Sequence, residues 1–233
     1  MKTAIITGAS VGIGKATAQQ FIASDYQVIN LSRRSCDVDG VHNLPCDLMD
    51  SAAIQSCVDQ LLVLAQDSES IALVHNASQM RKDSTRDCDD EDLRSVLETN
   101  VVAINTLNRG LLPLMGSGSS ILYVGSTLSE KAVPSSFSYV LSKHAQLGMM
   151  RATCQDLMGS GIHTALICPG FTDTEMLRTH LGNDDAVLQS IGGMNSFGRL
   201  IEPKEIAGLL HWCHHNPVIN GSVLHANLGQ KEA

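Results

Sequence analysis

Three side chains in the second half of the sequence have the types and spacing needed to move a proton. Tyr139 stands four residues before Lys143 and thirteen residues after Ser126. A phenol and an ammonium at positions i and i+4 share one face of a helix, and a nearby hydroxyl can hold the oxygen that exchanges the proton. The trio indicates acid–base chemistry coupled to hydride transfer from a bound cofactor. For Tyr139 and Lys143 taken alone, an ordinary surface pair is the alternative interpretation.

A glycine-rich turn near the start of the chain could hold the phosphates of such a cofactor. It runs Thr7-Gly8-Ala9-Ser10-Val11-Gly12-Ile13-Gly14, between a predicted strand and a predicted helix. Glycine lets a phosphate approach the backbone, and a helix N-terminus offers free N–H groups and partial positive charge. A simple tight turn is the alternative, and the strand–turn–helix context favours nucleotide binding. The predicted contacts are Gly8, Ser10, Gly12, Ile13 and Gly14.

Apolar, β-prone runs alternate with helical periodicity along the rest of the chain. The predicted strands cover residues 3–7, 27–31, 70–75, 120–125, 163–168 and 222–226. The first predicted helix begins near residue 12 and ends near residues 24–25. The others cover residues 51–65, 91–115, 138–158 and 203–214. Alternation of this kind predicts an α/β fold with a parallel sheet. Near-continuous apolar strands predict helices on both faces of a doubly wound sheet of about seven strands.

Length and composition narrow the class of protein. The 233 residues, 43% of them hydrophobic, predict a single domain over residues 1–233. A net charge of -8 and 3% aromatic residues argue against a nucleic acid partner. The sequence has no apolar run of about 18 residues and no cleavable leader pattern. We therefore expect a cytoplasmic protein with no membrane partner.

The glycine turn and the Tyr139–Lys143 pair together resemble the short-chain dehydrogenase/reductase family, whose motifs are T-G-x-x-x-G-x-G and Y-x-x-x-K. The resemblance covers nearly the whole chain and implies a Rossmann-like fold that transfers hydride between a nicotinamide and a carbonyl or alcohol. It implies that Tyr139 is the general acid/base and that Ser126 bonds the substrate oxygen. Lys143 would bond the nicotinamide ribose and, together with the positive charge of the oxidised nicotinamide, would lower the pKa of Tyr139. Asn100 would hold a water that links Lys143 to solvent.

The end of the second predicted strand bears on the choice of cofactor. In this family the residue about 18 positions past the last motif glycine selects it, and an acidic residue there binds the ribose 2′-hydroxyl. Here that position is Ser32, followed by Arg33 and Arg34. A serine beside guanidinium groups accommodates a 2′-phosphate, so we predict NADP(H) over NAD(H). A solvated arginine pair is the alternative.

Other segments resemble the family's remaining cofactor contacts. Asp47-Leu48 would border the adenine, although Asp47 is equally a candidate helix cap. The resemblance assigns Asn76 and Ala77 to the loop after the fourth strand, where Ser78 replaces the family's glycine. The segment after the sixth strand would bind the carboxamide through Pro169, Gly170, Thr172 and Thr174.

Two further segments have simpler explanations. The acidic segment 80–92 is expected to be a solvated loop with a helix start. His211, His214 and His215 have helical spacing that could suggest a metal site, and a partly solvated helix end is the preferred interpretation. We therefore predict no metal.

Substrate, assembly and activity remain expectations from pattern and resemblance. Residues 175–199 predict a mainly apolar lid over a small-molecule carbonyl or alcohol, or else a surface helix pair. Family members commonly assemble through the helices around Asn100 and Tyr139, which implies a homodimer or homotetramer. The enzyme class is preferred to a non-catalytic NADP-binding sensor on the same fold, because a sensor would need only the glycine turn and Arg33.

Overall fold

The chain, described here over residues 1–230 of a computed structural model, is built around one seven-stranded parallel sheet. Its spatial order is β3-β2-β1-β4-β5-β6-β7. The strands are β1 Lys2–Thr7, β2 Gln27–Ser32, β3 Val41–Pro45, β4 Ser70–His75, β5 Ser120–Val124, β6 His163–Pro169 and β7 Ser222–Ala226. Strand order reverses between β1 and β4, and a crevice at such a point is where open α/β sheets bind ligands.

The predicted doubly wound fold is confirmed, and six strands lie where the apolar runs placed them. The strand that the sequence did not reveal is β3, at the edge of the sheet beside β2. Only Leu44 of its five residues is buried. A short edge strand with exposed polar positions carries too little apolar pattern to be recognised.

Helices cover both faces of the sheet. They are α1 Gly12–Ile22, α2 Ser51–Leu64, α3 Asp90–Leu97, α4 Ala103–Leu111, α5 Phe137–Asp156, α6 Glu175–His180, α7 Asp185–Gly192 and α8 Pro203–His215. One core cluster joins α2, α4 and α5 to one face of the sheet, and a second joins α1 and α8 to the other. Burial of apolar side chains on both faces is the main stabilising term for such a sheet.

The single helix predicted over residues 91–115 is wrong in detail. A π-helical turn, Glu98–Val102, separates α3 from α4, and a 3₁₀ turn at Leu112–Leu114 ends the segment. Asn100 is fully buried in the π turn. Single π turns inside helices are frequent at functional sites, because the extra residue re-aims neighbouring groups.

The predicted lid segment contains α6 and α7. The predicted single domain extends to residue 233, and its last three residues lie outside the described part of the chain. Within residues 1–230, no helix combines the length and apolarity that a membrane crossing requires.

Candidate active site

The glycine turn lies at the carboxyl end of β1, and two of its glycines have left-handed backbones. The φ angles are +70° at Gly8 and +57° at Gly12, which L-residues with a side chain rarely adopt. Gly14 is required by packing instead. A Cβ there would lie 2.3 Å from the Gly8 carbonyl oxygen and 2.6 Å from Asn76 Nδ2. The turn is therefore held close against the neighbouring strand end.

Asn76, directly after β4, fastens this turn to the sheet. Its Nδ2 donates to the carbonyl oxygens of Thr7 and Gly8, each at 3.0 Å. Thr7 Oγ1 in turn accepts from the backbone N–H groups of Asn76 and Ala77, also at 3.0 Å. The sequence-predicted residues Gly8, Asn76 and Ala77 thus meet at the point where strand order reverses.

The first turn of α1 offers donors to an anion. Val11 occupies the N-cap position in extended backbone and makes no side-chain capping bond. The first N–H groups of a helix have no partner within the helix, and the helix dipole places partial positive charge there. Together with the glycine cradle, these residues fit the diphosphate of a dinucleotide.

The segment after β6 reaches the same turn. A Cβ on Gly12 would lie 3.2 Å from Thr174 Cγ2. Thr174 caps α6 by accepting from Leu177 N–H at 3.2 Å. Thr172 is buried, and its hydroxyl donates to the Gly170 carbonyl at 3.1 Å. Pro169 ends β6, which brings these predicted contacts to the carboxyl edge of the sheet.

The predicted cofactor-selecting residues lie together at the end of β2. Ser32 Oγ is 3.5 Å from Ser10 Oγ in the glycine turn, and it accepts from Arg34 N–H at 3.3 Å. Arg34 also forms a two-pronged ion pair with Glu175, at 3.2 and 3.3 Å. Arg33 is exposed, and no ion pair to it occurs among residues 1–230. Arg34 is thus shared between the selecting loop and the start of α6.

Asp47 is not the cap of α2. Asp50 fills that role by accepting from the N–H groups of Ala52 and Ala53, at 2.9 and 3.2 Å. Asp47 instead accepts from Met49 N–H at 3.0 Å. Leu48 packs against the core cluster of its face. The helix-cap alternative for Asp47 is therefore wrong.

The predicted catalytic residues converge where β5 ends and α5 begins. Tyr139 is 8% exposed and Lys143 is 2% exposed, and Lys143 Nζ lies 5.4 Å from the centre of the Tyr139 ring. Ser126 follows β5 and begins a 3₁₀ turn, with its Oγ accepting from Leu128 N–H at 3.1 Å. The alternative interpretation of Tyr139 and Lys143 as an ordinary surface pair is wrong, because both side chains are buried.

Burial dominates the ionisation of this pair. It raises the pKa of Tyr139 to about 12, and the Ser126 hydroxyl opposes the rise by a smaller amount. It lowers the pKa of Lys143 to about 7. In the chain without cofactor, Lys143 therefore does not lower the pKa of the phenol below its usual value, and the predicted lowering in the presence of the oxidised nicotinamide stays a prediction. A lysine with a pKa near neutrality carries only part of a charge, and removal from water disfavours both ions.

Asn100 organises the other side of Lys143. Its Oδ1 accepts from Gln79 N–H at 2.7 Å, and its Nδ2 donates to Gln79 O and Ser142 Oγ, each at 2.9 Å. Its carbonyl oxygen accepts from Gln146 Nε2 at 2.8 Å, and Gln146 Oε1 accepts from Lys143 Nζ at 3.1 Å. Gln146 was not predicted as a site residue, because a glutamine within a helix belongs to no recognisable motif.

The buried position of Asp83 was also not predicted from the sequence. It is 7% exposed, and its carboxylate accepts from Ser138 N–H at 3.1 Å and from the Ser138 hydroxyl. Asp83 thereby caps α5, because the N-cap residue Ser136 makes no side-chain capping bond. The prediction of a solvated segment is confirmed for Asp87 and Asp90, since both are exposed. It is wrong for Asp83. The partners are 55 residues apart, so no local pattern could reveal the contact.

The histidine-rich end of α8 packs against the starts of β5 and β6. His214 is 5% exposed, so its placement at a solvated helix end is wrong. Its Nδ1 lies 2.7 Å from Ser120 Oγ, and His163 Nε2 lies 2.9 Å from the Cys213 carbonyl oxygen. Within residues 1–230, no group of three or more histidine, cysteine or carboxylate side chains is arranged to hold a metal ion.

The fold and this site define a nucleotide-binding α/β protein with a buried tyrosine–lysine pair at the ligand edge of its sheet. A family model described as short chain dehydrogenase matches residues 2–184. The chain therefore belongs to the short-chain dehydrogenase family, a family of oxidoreductases that use nicotinamide cofactors.

Known relatives agree with this assignment over most of the chain. The 2-keto-3-deoxy-L-fuconate dehydrogenase of Xanthomonas campestris pv. campestris is 30% identical, with 90% of this chain and 72% of that protein covered. A short-chain dehydrogenase from Burkholderia cenocepacia in complex with NADP is 26% identical, with a TM-score of 0.87 and 98% and 97% of the two chains covered. A 4-hydroxyisoleucine dehydrogenase mutant complexed with NADH and succinate is 23% identical, with a TM-score of 0.88 and 99% and 98% covered, and shares the fold.

Proposed function

We propose that the protein is an NADPH-dependent oxidoreductase that interconverts a carbonyl and an alcohol, with Tyr139 as the general acid/base. The observation that carries the proposal is the convergence of Ser126, Tyr139 and Lys143 beside the glycine turn at the carboxyl edge of the sheet. Ser126 follows β5, whereas Tyr139 and Lys143 lie one turn apart on α5, and the place between them is where a nicotinamide and a carbonyl would meet.

In the reductive direction, NADPH held at this site would provide a hydride for the carbonyl carbon. The Tyr139 hydroxyl gives its proton to the carbonyl oxygen, and the Ser126 hydroxyl orients that oxygen. The products are the alcohol and the oxidised cofactor, so one hydride and one proton account for the change. A phenol whose pKa burial raises to about 12 stays protonated at neutral pH and is ready to donate.

Oxidation of an alcohol requires the reverse proton transfer. The oxidised nicotinamide carries a positive charge, which would favour tyrosinate, as would an ammonium on Lys143. Lys143 bonds Val124 O at 2.8 Å and Gln146 Oε1 at 3.1 Å, and its third N–H would reach a ribose hydroxyl. Asn100 supports this arrangement through Gln146.

NADP(H) is the proposed cofactor because Ser32 and Arg33 border the ribose side of the glycine turn with no carboxylate of their own. Arg34 would contribute once its ion pair with Glu175 opens. The remaining proposed contacts comprise the glycine turn, the loops after β3, β4 and β6, and the reactive pair itself. They are Gly8, Ser10, Gly12, Ile13, Gly14, Asp47, Leu48, Asn76, Ala77, Tyr139, Lys143, Pro169, Gly170, Thr172 and Thr174.

The substrate is proposed to be a small molecule covered by a lid at about residues 175–199 of a single catalytic domain spanning residues 1–233. Met176, Met194 and Phe197 of this segment are exposed apolar side chains, as a cover for a mainly apolar substrate would need. A homodimer or homotetramer is proposed through the α4–α5 face, where Val102 and Leu141 are also exposed.

A panel of ketones, aldehydes, quinones and sugars with NADPH or NADH, followed at 340 nm, tests the proposal. We expect turnover of at least one carbonyl class and a higher kcat/KM with NADPH. Cofactor fluorescence measures binding in the same samples. Tight NADPH binding without turnover of any compound, in either direction, would instead indicate a sensor.

A further inference from the structure

A buried glutamine joins the reactive lysine to the π turn. Gln146 lies three residues after Lys143 on α5 and is 1% exposed. Its Oε1 accepts from Lys143 Nζ at 3.1 Å, and its Nε2 donates to the Asn100 carbonyl oxygen at 2.8 Å. Both ends of one amide are thus used in the interior, which is how a buried polar side chain avoids a large desolvation cost.

The contacts of Gln146 fix the direction of the Lys143 ammonium. An ammonium has three N–H donors. Among residues 1–230, Val124 O accepts one and Gln146 Oε1 accepts a second. With two donors held by groups on β5 and α5, the third points along one remaining direction. An acceptor at this distance also favours the charged form of the lysine.

The π turn is the second support of this bridge. Asn100 holds Gln79 and Ser142 with its side chain, so its carbonyl oxygen has a fixed position. Gln146 Nε2 is bonded to that oxygen. Displacement of the π turn would therefore move Gln146, and Lys143 with it.

The sequence motifs implied a water at Asn100 that connects to the lysine, whereas here one side-chain amide joins the Asn100 carbonyl to Lys143. We propose that Gln146 is a positioning residue that takes the place of this water, holding the Lys143 amine in one direction and favouring its charged form. The role in turnover rests on the proposed function. An amide neither gains nor loses a proton near neutral pH, so the bridge holds the charge without passing a proton to Asn100.

Two substitutions separate the acceptor from the filling of space. Gln146→Met keeps a similar volume and removes both hydrogen bonds. Gln146→Glu restores an acceptor for Lys143 and adds a negative charge. The Lys143 pKa is measured by NMR on protein labelled with ¹³C at lysine Cε, with Lys143→Arg assigning the signal. This readout does not require turnover.

We expect Gln146→Met to lower the Lys143 pKa by about one unit and Gln146→Glu to raise it above the wild-type value. If ammonium is the active form, the alkaline limb of the kcat profile should move to lower pH in the Met variant by the same amount. It should return to or beyond the wild-type position in the Glu variant. Gln155→Met, at an exposed glutamine of the same helix, should change neither quantity.

An unchanged Lys143 pKa in Gln146→Met would overturn the proposal. So would a fall in kcat that follows the melting temperature alone, with no movement of the pH limb and no recovery in Gln146→Glu, because that pattern describes a merely structural residue. If wild-type protein shows no nicotinamide-dependent turnover, the proposed function fails while the NMR titration still decides whether Gln146 holds the lysine.

Discussion

Two buried polar clusters lie at opposite edges of the same sheet. The first surrounds the proposed catalytic pair and is called the catalytic cluster; it comprises Asn100, Tyr139, Lys143 and Gln146 at the carboxyl ends of the strands. The histidine cluster, His163, His214 and Ser120, lies where β5 and β6 begin. Burial lowers the pKa of Lys143 to about 7 and that of His214 to about 3. A shifted pKa therefore does not by itself identify an active site.

The backbone around the two clusters is what distinguishes them. The catalytic cluster combines a π turn, which contains Asn100, with a helix that a distant carboxylate caps. The histidine cluster is formed by regular α8 packed on the amino ends of strands, and its polar atoms bond a hydroxyl and a carbonyl. Irregular backbone at the carboxyl edge is where a fold of this type presents groups to a ligand.

Gly14→Ala should have the largest effect on the ligand edge. The new Cβ would lie 2.3 Å from the Gly8 carbonyl oxygen, so the turn must move. We expect the NADPH Kd to rise by about 100-fold or more, measured by cofactor fluorescence on protein of known melting temperature. Gly148→Ala is the control, because an added Cβ on that α5 glycine meets nothing within 4 Å. Wild-type affinity in Gly14→Ala would place the cofactor elsewhere.

The histidine cluster should govern stability in acid and leave turnover alone. Burial lowers the pKa of His214 to about 3, so the folded state favours the neutral ring. The stability that the neutral His214 ring contributes is complete at pH values above the unfolded-state pKa of about 6.5. It is lost as the pH falls from about 6.5 towards about 3. Because burial also lowers the pKa of His75 to about 4, His214 accounts for only part of the slope.

Denaturant unfolding between pH 7 and pH 4 measures this slope. His214→Asn should be less stable at pH 7 and lose less stability on acidification, a difference of about a few kcal/mol, while kcat at neutral pH stays near the wild-type value. His42→Asn, on the exposed edge strand, is the matched control. An unchanged slope in His214→Asn, or a large loss of kcat, would remove the distinction between the clusters.

Asp83→Ala should affect the catalytic cluster through the start of α5. Loss of a helix cap costs about 1–2 kcal/mol, and Tyr139 is the third residue of the capped helix. We expect a lower melting temperature together with a fall in kcat of about 10-fold. Asp89→Ala removes the cap of α3, where Asp89 accepts from Asp92 N–H at 2.8 Å, and should lower stability with little change in kcat. Equal kcat values in the two variants would contradict the positioning role of Asp83.

Glu175→Gln should give the smallest effect. The substitution weakens the ion pair between Arg34 and residue 175, and both of these side chains are more than half exposed. Exposed pairs contribute about 0–1 kcal/mol, so the NADPH Kd should fall by about two- to five-fold, with the NADH Kd unchanged. Isothermal titration with both cofactors measures the difference. Parallel changes for the two cofactors would show that Arg34 does not face the 2′-phosphate.

Local patterns predicted the parts of the molecule that local interactions form. Apolar runs gave six strands, and glycine spacing gave the turn at the end of β1. The π turn at Asn100, the cap by Asp83 and the bridge by Gln146 depend on contacts between distant segments, so no window of sequence contains them. The effect of burial on Tyr139 could not be predicted either, because burial depends on the complete fold and, in the chain without cofactor, outweighs the neighbouring lysine.

A matched pair of tyrosine substitutions tests the central claim most directly. Tyr123 and Tyr139 are both buried, and burial raises the pKa of each. Among residues 1–230, the hydroxyl of Tyr123 forms hydrogen bonds only with Asn108 and Thr153. The measurement is kcat with the best substrate of the panel, together with the NADPH Kd. The account predicts that Tyr139→Phe loses about 10³-fold in kcat and keeps its NADPH affinity, while Tyr123→Phe retains turnover. Equal turnover in the two variants would contradict it.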